Sequence, residues 1–234
     1  MTIASCSVER GNLPLGQTQS AKMENPVIIL GASYLGRQAK DILEGNGNVV
    51  YGFLDDNKNL HHTEIDNASV LGSTDDETFL KLIGKKCDVF VAMDENKVRK
   101  NLVVMLNEEY KVQPVNVIPT SANIPASTDM GHGNFIHHGV VFGPGSSIGN
   151  HCILQTNVII GTETKLGNFV QVGSGSVINS GSEIEDEVFI GSGVIIVGGI
   201  TIGKGARVGA GSVVVAPVKA GETVFGNPAT AVRS

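Results

Sequence analysis

Between Ile124 and Val214 an apolar residue recurs at every sixth position, sixteen times in succession, with no insertion and no polar miss. Four residues after each apolar position the side chain is small or β-branched, as at Val140, Cys152, Val158, Ser176, Val194 and Ser212; Asn134 is the clearest exception. Gly follows the apolar residue at nine of the sixteen steps, which makes the turn as regular as the core. A strict six matches neither the helical period of 3.6 nor the strand period of 2. It is the period of a parallel β-helix. The two recurring residues of each six then lie on one side of a short strand and point inward. The Gly or Asn after the apolar residue is expected to supply the positive φ that turns each corner. Three corners close a triangular coil, so residues 18 apart stack, and about five coils bury a column of Ile and Val by neighbour-on-neighbour packing. A Gly-rich β-sandwich, the rival fold, has loops of unequal length that would break this register.

Upstream the pattern changes. Val27–Leu30 is a fully apolar strand, followed by Gly-Ala-Ser-Tyr-Leu-Gly at 31–36 and a helix expected over 37–43. Asn46-Gly47 marks a turn, and a second strand over 49–54 ends in Asp55-Asp56. A helix over 75–83, a strand over 88–92, a helix over 96–110 and a strand over 115–118 complete a small parallel sheet, with 120–125 as the linker into the repeats. This order of strand, Gly loop, helix, strand and acid is that of a nucleotide-binding βαβ unit. The fingerprint is incomplete, because Ser33 stands at the middle glycine. Backbone N–H groups of Ser33, Tyr34, Leu35 and Gly36 at a helix N-terminus suit a phosphate. Asp55 or Asp56 would accept from a ribose hydroxyl or a base N–H. A tight turn beside a solvated acidic loop accounts for the same residues without any ligand.

The expected domains are a flexible leader over 1–25, a Rossmann-like domain over 26–118 and a β-helix over 119–234. The leader contains Glu9 and Arg10 and lacks the apolar core of a signal peptide. A net charge of −6 with no run of Lys or Arg argues against nucleic acid or an anionic membrane as partner. No segment is long and apolar enough to insert in a bilayer. Cys6, Cys87 and Cys152 are scattered, which reads as reduced thiols in a cytoplasmic protein.

Hexapeptides such as Ile190-Gly-Ser-Gly-Val-Ile and Ile202-Gly-Lys-Gly-Ala-Arg, with the ending Gly226-Asn227-Pro228-Ala229, resemble the left-handed β-helix acyltransferases. Left-handedness is an implication of that resemblance, since the general rule for parallel crossovers gives the right hand. Together with Gly-Ala-Ser-x-x-Gly and Phe53-Leu54-Asp55-Asp56, they resemble the sialic-acid O-acetyltransferase group over residues 26–232. That group includes the bacillosamine- and perosamine-pathway sugar N-acetyltransferases. The resemblance implies a first domain that binds a nucleotide-activated amino sugar, through Gly31, Ser33, Tyr34, Leu35, Asp55 and Asp56. It implies acetyl-CoA as co-substrate, held by the β-helix between subunits of a homotrimer, and neither NAD nor a metal. By the same resemblance Ser174, Ser180, Ser192 and Ala210 match positions that contact CoA. Small side chains at Thr156, Ser174, Ser192 and Ala210, spaced by 18, would also leave a groove slim enough for a pantetheine arm.

Acyl transfer to an amine or hydroxyl needs a base near the nucleophile and donors for the thioester oxygen. In the resembled group the base is a His in a stretch that here reads Ile160-Gly-Thr-Glu-Thr-Lys-Leu-Gly-Asn-Phe169, with Thr162 in its place and Glu163 as the retained acid. The group's second His falls on Gln171. Three readings are open at this point. Glu163 serves as base with its carboxyl pKa raised by burial at a subunit interface; or a His approaches from another corner; or the protein is a sugar-nucleotide-binding scaffold without the chemistry. His132, His137, His138 and His151 are also candidates for a metal cluster of the kind found in γ-class carbonic anhydrases.

Overall fold

The structure is a computed structural model and describes residues 25–232. Nearly all of the expected leader lies outside those residues. The N-terminal half begins with β1 (Val27–Leu30), α1 (Tyr34–Gly45) and β2 (Val50–Leu54), then β3 (Glu64–Ile65) and β4 (Ala68–Gly72). It continues with α2 (Glu77–Leu80), β5 (Asp88–Val91) and α3 (Asn96–Met105). The sheet order is β3-β4-β2-β1-β5, parallel except for β3 against β4. β1 lies between β2 and β5 and is wholly buried, as its run of Val-Ile-Ile-Leu requires of a strand covered on both faces.

Several elements differ from the sequence expectation. α1 starts at Tyr34, three residues early, because Ser33 is already its N-cap. The expected helix over 75–83 shrinks to Glu77–Leu80. The helix over 96–110 is regular only to Met105; Leu106–Tyr110 widens into a π turn that ends at Lys111, φ 56°. The β3–β4 hairpin was not expected, although Asp66 and Asn67, both at positive φ, are turn residues of the required kind. Residues 115–118 form no strand of this sheet. The Val115 N–H donates to the Val89 carbonyl, but Val117 bridges to Phe135 of the β-helix. The linker over 120–125 is likewise already wound: Asn123 bridges to Val141, and Ala122 belongs to the β-helix core.

The β-helix is a three-sided prism of two-residue strands in parallel register, each residue paired with those 18 before and after. One side, here the domain face, starts at Phe135–Ile136 and passes through Ile153–Leu154, Gln171–Val172, Phe189–Ile190 and Arg207–Val208 before a final antiparallel hairpin. The apolar face presents Val141, Ile159, Val177, Ile195 and Val213 outward; the polar face presents Asp129, Ser147, Lys165, Glu183 and Thr201. Corner 1 joins domain face to apolar face (137–140, 155–158, 173–176, 191–194, 209–212). Corner 2 joins apolar to polar face (143–146, 161–164, 179–182), and corner 3 joins polar to domain face (131–134, 149–152, 167–170).

Inside, the predicted apolar and small positions are buried throughout, from Ile136 and Val140 to Val208 and Ser212. Asn134 is buried too. It donates to the Gly149 carbonyl and accepts from the Cys152 N–H, so it is a satisfied polar group. The corner glycines differ from expectation. Positive φ falls three residues after the apolar position, at Gly139, Gly175 and Gly193 and also at His151, Asn157, Glu163 and Phe169. The glycine one residue after the apolar position is needed because the coils approach closely there. A Cβ at Gly173 would lie 2.5 Å from the Ser192 nitrogen, and one at Gly191 2.6 Å from that of Ala210.

The halves share a core. Phe135 and Ile153, the lowest outward residues of the domain face, pack with Val27, Ile29, Phe53 and Phe90 under the first sheet. Asn46 donates to the Ile118 carbonyl, Asn96 to that of Phe169, and Lys100 pairs with Glu187.

Candidate functional site

The Gly loop crosses the carboxyl ends of β1, β2 and β5, where open α/β sheets hold ligands. Gly31 takes φ +112°, and a Cβ there would lie 2.5 Å from the Ala92 carbonyl oxygen. A Cβ on Gly36 would collide with the Gly31 carbonyl. The two glycines therefore bring strand and helix together. Ser33 makes no side-chain cap, and the first-turn N–H groups of α1 have no partner four residues back. Tyr34 is 82 % exposed beside them, whereas the Leu35 side chain is buried in the core and offers only its backbone.

Asp55 differs from the expected free acceptor. Its two oxygens accept from the N–H groups of Ala32 and Asn57, both at 2.8 Å, so the carboxylate ties the β2 end to the Gly loop. Asp56 accepts from the N–H and hydroxyl of Thr74. Both use these oxygens internally before any ligand arrives. Arg99, which sequence reasoning passed over, shapes the third strand end. Its buried guanidinium donates to the carbonyls of Met93 and Asp94 and to the Asn96 side chain. Burial lowers its pKa to about 10. The spacing of Asn96 and Arg99, one helical turn apart at a helix start, is its only trace in the sequence.

On the β-helix the predicted residues divide between two corners and a face. Thr162 and Glu163 are exposed on corner 2, Glu163 at φ +57° with its N–H bonded to the Pro144 carbonyl. Ser180 stands one coil above Thr162 on the same corner. Ser174, Ser192 and Ala210 are exposed on corner 1, one above the other. Gln171 is on the domain face, where its amide donates to the Asp94 carbonyl and to Asn96, fastening the β-helix to the loop after β5. A single chain therefore does not bring Thr162, Glu163 and Gln171 together.

The four histidines proposed as a metal cluster are also divided. His132 and His151 are on corner 3, His137 and His138 on corner 1, and among the described residues no group of three or more metal-ligating side chains gathers. His151 packs on Phe169 at 5.0 Å, and burial, then the Arg99 charge, lowers its pKa to about 4. The Cys152 thiol, fully buried, is pushed up to about 12 and donates to the Gly167 carbonyl at 3.1 Å. Both are packing groups. His137 is half-buried; its Nδ1 lies 2.9 Å from the Thr156 hydroxyl. His138 is exposed, with Nδ1 2.7 Å from the Ser121 hydroxyl.

Known proteins match both halves. A family model described as the PglD N-terminal domain matches residues 26–106, and one described as bacterial transferase hexapeptide (six repeats) matches residues 181–216. Among solved structures, PerB from Caulobacter crescentus, in complex with CoA and GDP-perosamine, superposes with a TM-score of 0.82 at 25% identity, over 91% of this chain and 100% of that one. WeeI from Acinetobacter baumannii AYE superposes with a TM-score of 0.80 at 28% identity, over 88% of this chain and 99% of that one. The acetyltransferase domain of PglB from Neisseria gonorrhoeae FA1090, in complex with acetyl coenzyme A, shares the fold at 24% identity and a TM-score of 0.81, over 89% and 99%. No curated protein matches the chain by sequence. The architecture is thus a small Rossmann-like parallel-sheet domain followed by a left-handed parallel β-helix of hexapeptide repeats. Its likeness is to the sugar acetyltransferases of that fold.

Proposed function

We propose that this protein is an acyl-CoA-dependent transferase, acetyl-CoA being the donor, that acylates an amino or hydroxyl group of a nucleotide-linked sugar. The observation that carries the reading is the pairing, within one chain, of an uncapped helix N-terminus at the Gly loop with exposed small-residue ladders at two β-helix corners. PerB, which superposes over nine-tenths of this chain, holds a nucleotide sugar and CoA together, and that supports both ligands here.

The apolar face supports the homotrimer. Ile159 and Ile195 are 44% and 43% exposed on it in the single chain, directly in line with Val141, Val177 and Val213. A second copy of the same face would remove that stripe from water. Threefold packing about an axis parallel to the prism sets corner 2 of one copy beside corner 1 of the next. The CoA arm then runs along Ser174, Ser192 and Ala210, facing Thr162 and Ser180 of the adjacent copy, whose hydroxyls are donors for the thioester oxygen. The nucleotide is held remotely, its phosphate on the N–H groups of residues 33–36 and its ring beside Tyr34, and that binding orients the reacting group. Both substrates belong to the cytoplasm, and among the described residues no helix is long and apolar enough to cross a membrane.

The test is release of free CoA from acetyl-CoA in the presence of UDP-, GDP- and dTDP-linked amino sugars. We expect turnover with one nucleotide class and a rise in melting temperature with acetyl-CoA. An unchanged melting temperature at millimolar acetyl-CoA would remove the enzymatic reading; a shift without turnover on any sugar would favour a binding scaffold.

A further inference from the structure

Thr162 has no basicity near pH 7, and Gln171 is committed to the loop after β5. Resting on the reading above, we infer that His137 is the general base of the transfer, acting across a copy boundary on the slot whose other wall is Thr162 and Glu163. His137 opens corner 1, immediately after the domain-face strand Phe135–Ile136, and so stands at the edge that threefold packing turns toward corner 2 of the next copy.

Height along the prism selects it. Successive coils are about 4.8 Å apart. Thr162 and Glu163 stand on the second full coil, a third of a coil beyond Thr156. His137 belongs to the coil below, but its ring bonds upward to the Thr156 hydroxyl, which lifts the imidazole to the level of the slot. Rotation about an axis parallel to the prism preserves height, so imidazole and Glu163 carboxylate meet at one level. His138, by contrast, bonds back to Ser121 on the incoming chain. His132 and His151 are on corner 3, away from the apolar face.

The surroundings suit the role. Burial and the neighbouring His138 ring keep the His137 pKa below the usual histidine value, against a weaker pull from Asp41 of α1, so the ring is neutral at pH 7. In the tautomer whose Nδ1–H donates to the Thr156 hydroxyl, Nε2 keeps the lone pair that takes a proton. In the step, the sugar amine or hydroxyl attacks the thioester carbonyl, the new N–C or O–C bond forms, and its proton passes to Nε2. The C–S bond then breaks, and the CoA thiolate leaves with that proton.

Three variants of the full chain test this. H137N is expected to lower kcat about 100-fold, the usual worth of a positioned base. The acetyl-CoA melting shift should be unchanged, and added imidazole should restore part of the rate. H132N should keep wild-type activity. For a readout independent of turnover, H137C should form a mixed disulfide with CoA disulfide, blocked by acetyl-CoA, beyond the labelling of wild type. A loss under threefold in H137N, or no labelling of H137C while acetyl-CoA still shifts wild-type melting, would overturn His137 as base. Wild type unmoved by acetyl-CoA would instead sink the transferase reading, and the base with it.

Discussion

In the β-helix, Ile136, Leu154, Val172, Ile190 and Val208 occupy one environment five times over, each 18 residues above the last. In the N-terminal sheet no two residues share their surroundings, and single groups such as Arg99 or Asp55 hold whole loops. The difference is one of redundancy. A repeated solenoid spreads its stability over nearest-neighbour contacts, whereas in the sheet domain, over its own apolar core, single non-local polar contacts fix individual loops. The loops at the carboxyl ends of β1, β2 and β5 depend on those contacts.

Breaking the first domain at one atom group gives the largest expected effect. Arg99→Met leaves the Met93 carbonyl without its donor and the Asp94 carbonyl and Asn96 side chain with Gln171 alone, and should cost about 3 kcal/mol. Amide exchange would show the loss in α3 and β5, with the upper coils still protected. In the β-helix the two kinds of corner glycine should separate. Gly173→Ala forces a methyl against the Ser192 backbone and should cost about 2–3 kcal/mol. Gly175→Ala meets no atom within 4 Å and is charged only for its φ of +69°, about 1 kcal/mol. Urea denaturation of the pair checks the ratio, and equal costs would contradict the assignment.

His151 is where a bulky ring takes a left-handed corner otherwise given mostly to Gly, Asn or Glu. Its pKa is about 4 folded against an ordinary 6.5, so the unfolded chain binds the extra proton in that window. Stability therefore falls as pH drops from 6.5 toward 4, by about 2 kcal/mol at pH 5 relative to pH 8. His151→Asn should flatten that slope in melting curves at the two pH values. The smallest effect is expected at the joint between halves. Gln171→Ala removes one amide latch and should cost about 1 kcal/mol, read as earlier exchange at residues 94–96.

Redundancy also explains what could be read before any coordinates. A period of six written sixteen times reveals its inward positions, its triangular section and its 18-residue stacking. It did not reveal which corner residue turns the chain. Gly at the step after Ile160 and Gly three steps after Ile136 look alike in a string, and only inter-coil distance separates close approach from positive φ. In the first domain the Gly loop and the acidic strand end were legible because neighbours in sequence build them. Asp55 bonding to Ala32, Val117 leaving the sheet for Phe135, and Gln171 reaching Asp94 are pairings across tens of residues that no local rule contains. The same limit applies to the histidines: a spacing of 18 sets His138 under Thr156, but the ring that bonds to Thr156 is that of His137.

Exact 18-residue stacking has an engineering corollary. Inserting or excising one whole coil above Val188 would leave each side of the prism facing as before and merely lengthen or shorten the molecule. Removing six residues would swing everything beyond the cut by a third of a revolution and set Thr201 in the place of Ile195. The chain is thus a ruler graduated in coils, along which natural variation can adjust reach without redesigning either end.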